Sequence, residues 1–141
     1  MPEGIKKDAE LTVMAFDFGT RRIGVAVGNT LTKAGQPLTI IVEPSEDVRF
    51  RAIQTLIKEW QPNQLVVGLP CHPDGIEHEM SARARRFGNQ LHGRFQLPVH
   101  WVDERYTSAV LEGNPDMRDN LDAQSAALIL EQYFFEKNWI S

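Results

Sequence analysis

The sequence predicts an α/β domain: one mixed five-stranded sheet with helices on both faces. Three observations predict it. Three β-prone runs stand close together in the first third of the chain. The apolar period then changes from that of strands to that of helices. From there helical stretches alternate with two further short strands, the pattern of βαβ units.

The elements follow in order. Leu11 to Phe18 (LTVMAFDF) is apolar and β-prone and ends at Gly19. Ile23 to Gly28 (IGVAVG) is a second strand, joined to the first by Gly19-Thr20-Arg21-Arg22, a spacing that suits a hairpin. Pro37 to Glu43 (PLTIIVE) is a third, bounded by Gly35 and Pro44. Val48, Ile53, Leu56, Ile57 and Trp60 then recur at helical spacing, with Ser45 as N-cap and Pro62 past the end. Gln64 to Leu69 (QLVVGL) is short and apolar, as expected of a strand covered on both faces. Met80, Ala84, Phe87, Leu91 and Phe95 stripe a second helix, Val99 to Val102 forms a fifth strand, and a last helix runs from about Asn120 to Lys137. Trp101, Phe87 and Phe134 read as core. The order β-β-β-α-β-α-β-α, a hairpin meander followed by βαβ units, is the RNase H-like order. A dinucleotide-binding fold would begin βαβ with a glycine-rich turn opening a helix, whereas Gly19 opens a hairpin.

Composition narrows the function classes. The chain has 141 residues, 42% hydrophobic and 24% charged, the size and balance of one globular domain with the first ten residues as a polar tail. No apolar run reaches the ~18 residues of a membrane span, and MPEGIKKDAE lacks the apolar stretch of a secretory signal. Cys71 is the one cysteine, so neither an internal disulfide nor a thiolate cluster is expected. A cytoplasmic address is the expectation. The net charge of −4 disfavours a passive nucleic-acid coat, but it is compatible with carboxylates gathered for metal ions.

Two-metal phosphodiester hydrolysis needs acids converging from distant positions on one edge of a sheet, and hard cations such as Mg²⁺ select oxygen ligands. Asp17 lies in the apolar run of the first strand and shares a face with Ala15 by alternation; read alone, it could equally cap the turn at Gly19. Glu104 ends the fifth strand in Asp103-Glu104-Arg105, and alternation turns only one of Asp103 and Glu104 toward the site. Asp122 falls in the first turn of the last helix, where the helix dipole favours a carboxylate whatever its function. The small residues Ala123, Ser125, Ala126 and Ala127 after it allow that helix to approach the sheet closely. Arg21 and Arg22 beside Asp17 are placed to touch a phosphate backbone. Arg83, Arg85 and Arg86 could do so, although a solvated helix face explains them as well. His72 in the loop from Pro70 to Gly75 could shuttle a proton, but loop histidines rarely do, and Cys71 has no partner pattern for a nucleophile.

Together these segments resemble the YqgF family, also called RuvX, of Holliday-junction-resolvase-like proteins and pre-16S rRNA nucleases. Asp17 to Ala26 (DFGTRRIGVA) looks like the family's opening hairpin, and Val66 to Pro70 with Asp74-Gly75 like its central strand and loop. Asp103 to Ser108 (DERYTS) matches its DER motif, and Asp122 with Ala126-Ala127 matches the start of its closing helix. The likeness covers nearly the whole chain from Leu11. Between DER and the last helix the family usually carries a longer, Lys/Arg-rich stretch, here replaced by Leu111 to Asp119, and its usual Leu after DER is Tyr106.

The resemblance implies an RNase H-like nuclease that holds Mg²⁺ or Mn²⁺, as two ions, on Asp17, Glu104 and Asp122. Arg21, Arg22 and Arg105 would contact nucleic acid. It implies maturation of the 5′ end of small-subunit ribosomal RNA in the cytoplasm, with resolution of branched DNA as the alternative substrate. Two other readings compete. Asp-Phe-Gly-Thr also opens the phosphate-binding hairpin of sugar kinases and actin-like ATPases, which need two such domains. A non-catalytic ribosome- or transcription-associated binding module would keep the same fold. Monomer or dimer is left open, although symmetric cutting of a four-way junction would call for a dimer.

Overall fold

The computed structural model describes residues 11–19, 21–43, 45–69, 79–103 and 121–140, with the backbone alone for 121, 122 and 137–140. Five strands form one sheet in the order β3-β2-β1-β4-β5: β1 (Thr12–Phe18), β2 (Ile23–Asn29), β3 (Gly35–Ile41), β4 (Gln64–Leu69) and β5 (Val99–Asp103). The first three pair antiparallel, while β4 pairs parallel to both β1 and β5. Among the described residues three helices cover it: α1 (Glu46–Trp60), α2 (Glu79–Phe95) and α3 (Leu121–Ile140). The fold class and the order of elements are those expected from the sequence.

Alternation along β1 divides the interior in two. Met14 and Phe16 face α1 and α2, packing with Phe50, Ile53, Phe87 and Leu91. Val13 and Ala15 face α3, with Ile129, Leu130, Tyr133 and Phe134. Phe87 holds the first layer together: its ring meets Phe16 edge-on at 5.7 Å and lies 4.9 Å from Phe18 and 5.9 Å from Phe50, centroid to centroid. In the second layer burial pushes the Tyr133 hydroxyl above its ordinary pKa, and that hydroxyl donates to Gln64 Oε1 at 2.6 Å.

The differences from expectation are local. The third strand runs Gly35–Ile41 rather than from Pro37 to Glu43. Its start is set by pairing of Gly35 with Gly28, and Pro37 is accommodated because β3 is an edge strand, beside a register shift at Val25/Ala26. Ser45 is the N-cap of α1, but its side chain makes no capping bond; Glu46 and Asp47 occupy the first turn instead. Phe50, absent from the expected stripe, is buried while Val48 is only half-buried. Trp101 is half-buried rather than core, with its indole lying against Gly88. The last helix extends to Ile140, since no Gly or Pro follows Lys137 to stop it.

Candidate active site

Asp17 is the next-to-last residue of β1 and pairs with Gly24 of β2. The last parallel pair between β1 and β4 is Phe16 with Val67, so Gly68 stands one step beyond, level with Asp17. Residues level with one another across a sheet share a face. Asp17 therefore stands in a row whose neighbours on both sides, Gly24 and Gly68, carry no side chain. Alternation from Val13 and Ala15 turns this row toward the face covered by α3. The half-buried carboxylate thus stands between two buried glycines at the end of the sheet where β1 and β4 finish. Sequence reasoning missed the two glycines. The signal was there: a four-residue turn from Gly19 to Arg22 makes Phe18 face Ile23, and hence Asp17 face Gly24.

The turn itself is fixed from two directions. A Cβ on Gly19 would lie 2.7 Å from the Arg22 carbonyl oxygen, so only glycine fits. From α1, Arg49 donates through Nε to the Glu43 carbonyl at 2.6 Å and through Nη1 to the Gly19 carbonyl at 3.5 Å. Its guanidinium thereby ties the Asp17 turn to the exit of β3. Nothing in the sequence singled Arg49 out, because its role depends on two carbonyls brought together by the fold. Arg49→Ala is expected to lower stability by about 1–3 kcal/mol, read as an earlier urea midpoint. Arg49→Lys should recover only part, since one ammonium lacks the fork that spans both oxygens. An unchanged midpoint for Arg49→Ala would refute the tie.

The other expected site residues are placed as follows. Asp122 lies in the first turn of α3, whose next residues Ala123 and Gln124 line a cavity with Pro37 to Ile40 of β3. Asp103 ends β5 on the face of Trp101, opposite the face of Val102 and of Asp17. Its backbone carbonyl accepts from Gln132 Nε2 at 2.9 Å. Arg21 and Arg22 are exposed and make no hydrogen bond or ion pair with another described residue. Glu104, Arg105, Cys71, His72 and the segment 111–119 lie outside the described residues, as does the side chain of Asp122. Among the described residues no three His, Cys, Asp or Glu side chains group to hold a metal; two of the three expected ligands are not among them. Among the described residues, no helix is long and apolar enough to cross a membrane.

Comparison with known proteins bears on this arrangement. A "Putative pre-16S rRNA nuclease" of Polynucleobacter necessarius subsp. necessarius is 72% identical over 126 residues, covering 89% of this chain and 86% of the relative. A protein of the same name from Paraburkholderia xenovorans is 56% identical over 128 residues, 88% of each. Among solved structures, T. thermophilus RuvC in complex with Holliday junction substrate superposes with a TM-score of 0.57 at 14% identity, covering 93% of this chain and 98% of that one. That likeness establishes the RNase H-like fold. The model of the family "RuvX: Holliday junction resolvase" matches residues 11–136. The chain therefore belongs to the RuvX family, hydrolases that act on phosphodiester bonds, and its Asp17 row lies within the matched span.

Proposed function

We propose that the chain is a divalent-metal-dependent endonuclease that acts as a single domain in the cytoplasm to mature the 5′ end of the small-subunit ribosomal RNA precursor. The observation that carries this is Asp17, a hard oxygen donor at the end of β1 with side-chain-free positions on both sides. Such a donor suits Mg²⁺ or Mn²⁺, which keep several waters and substrate phosphate oxygens as further ligands. Asp17 would hold the metal with Glu104 and Asp122. When bound, two such ions would activate water and neutralise the leaving oxygen. The protein's own part is to aim the Asp17 carboxylate, fix the Gly19 turn through Arg49, and hold the phosphate backbone with Arg21, Arg22 and Arg105. The names of the relatives at 72% and 56% identity support ribosomal RNA as substrate. The family's own description supports branched DNA as the second reading.

One assay separates the readings. Purified protein is incubated with Mg²⁺ or Mn²⁺ against a precursor rRNA segment and a four-way DNA junction, with ATP binding measured alongside. Metal-dependent cutting of the RNA is expected. Cutting of the junction alone would assign branched DNA. ATP binding without cutting, or neither, would overturn the nuclease proposal in favour of a phosphate-binding or non-catalytic module.

The arginines carry a separate expectation. Replacing both Arg21 and Arg22 with Ala should flatten the dependence of log affinity on log salt by roughly 0.7–0.9 per lost contact. An unchanged slope would mean that they serve only the turn.

A further inference from the structure

We infer that the outward face of α2 around Arg85 and Arg86 is a second docking surface for the phosphodiester backbone of the substrate. The inference rests on the nucleic-acid reading proposed above and extends the contact beyond the Asp17 row.

The charge distribution is the first observation. In a chain with 15 Lys and Arg against 19 Asp and Glu, α2 gathers Arg83, Arg85, Arg86 and Arg94 against a single acid, Glu79. Glu79 is already engaged, accepting from Arg83 at 3.0 Å. Arg85 and Arg86 are both exposed: Arg86 lies opposite the buried Ala84, Phe87, Gly88 and Leu91, and Arg85 lies on the flank beside Trp101. A polyanion is the partner that such a local cationic face selects within an acidic protein.

Pre-organisation is the second. A Cβ on Gly88 would meet the indole of Trp101 at 2.6 Å, so the absence of a side chain there lets Trp101 lie flush against the helix. Trp101 Nε1 reaches the Ala84 carbonyl at 3.5 Å. The Arg85 guanidinium stands over that ring, 5.9 Å from its centroid. A stacked guanidinium loses less freedom on binding phosphate than a mobile one.

Position is the third. Trp101 is paired with Val67, and Val67 with Phe16, while Phe87 touches both Phe16 and Phe18. The turns of α2 that carry Arg83, Arg85 and Arg86 are therefore level with the Asp17 end of the sheet, on the other face. The outward side of α2 is about one helix diameter, ~10–12 Å, beyond the sheet. At ~3.4 Å per nucleotide step, a strand reaches it within three or four phosphates. A strand cut at Asp17 could pass over the end of the sheet and continue along α2.

The test is equilibrium binding in EDTA, which suppresses cleavage, over a series of salt concentrations. One labelled probe is an RNA duplex with a 5′ single-stranded extension and the other a four-way DNA junction. Arg85→Gln/Arg86→Gln should flatten the salt dependence of log affinity by about 1.4–1.8, two contacts at 0.7–0.9 each. Because losing Arg85 also unstacks Trp101, Arg86→Glu is measured in parallel; the Arg86 side chain is exposed and has no hydrogen bond or ion pair to another described residue. It should flatten the slope by at least ~0.7. A flattened slope on one probe only would support the inference and identify RNA or DNA as the strand that α2 meets. A wild-type slope for the folded Arg86→Glu protein on both probes would overturn the α2 surface and leave the nuclease reading standing. Failure of the wild-type protein to bind either probe would overturn both.

Discussion

Replacing Asp17 with Asn is expected to leave the chain folded and to lower phosphodiester cleavage below about a hundredth of the wild-type rate, a loss of at least ~2.7 kcal/mol in transition-state stabilisation. Asn keeps the size and shape of the side chain, and the Gly24 and Gly68 positions beside it carry no side chain. What it removes is the negative charge on the oxygen donors, which neutral amide oxygens replace poorly toward a hard divalent ion. Cleavage and thermal melting are measured on the same preparation. A melting temperature within ~2 °C of wild type, with activity lost, is the expected pair. A folded mutant retaining more than a tenth of the wild-type rate would remove Asp17 from the site, and with it the proposed chemistry.

The architecture was legible because each layer announced itself by period. The strand run of Leu11 to Phe18 and the helical stripe of Met80, Ala84, Phe87, Leu91 and Phe95 both match the structure closely. Where the reading slipped, long-range pairing decided the outcome. Nothing local distinguishes a third strand beginning at Gly35 from one beginning at Pro37; pairing with Gly28 on a neighbouring strand does. Arg49 looks like any helix-surface arginine until the carbonyls of Gly19 and Glu43 are brought to it from two separate turns. Asp17 was legible as a charge in an apolar strand. Its setting between two glycines belongs to sheet register, and thus to the fold rather than to its own segment.

Gly35→Ala is expected to lower stability by about 2–3 kcal/mol and the melting temperature by roughly 6–12 °C. Gly35 opens β3 directly beneath α3. Its backbone N–H donates to Glu131 Oε2 at 3.1 Å, and a Cβ there would run into the Ala127 carbonyl oxygen, with the Ala127 Cα at 3.0 Å. Both obstacles are backbone, so no rotamer change relieves them and the helix itself must move. Nearby contacts are equally close: Ala26 packs on Ala126 and Ala127, and a Cβ on Gly28 would lie 3.1 Å from Leu130 Cδ2. Small residues on both partners let α3 lie against the sheet, and α3 carries Asp122 in its first turn. Displacing it should therefore cost cleavage activity at temperatures where the variant is still fully folded. Gly93→Ala is the matched control. It lies exposed in α2 with nothing within 4 Å of an added Cβ, so removing the entropic cost of a helical glycine should raise stability by about 0.5–1 kcal/mol. Opposite signs for the same chemical change would tie the loss at Gly35 to the close approach of α3. If Gly35→Ala melts like wild type, α3 is not held by that contact, and its hold on Asp122 must come from elsewhere along the helix.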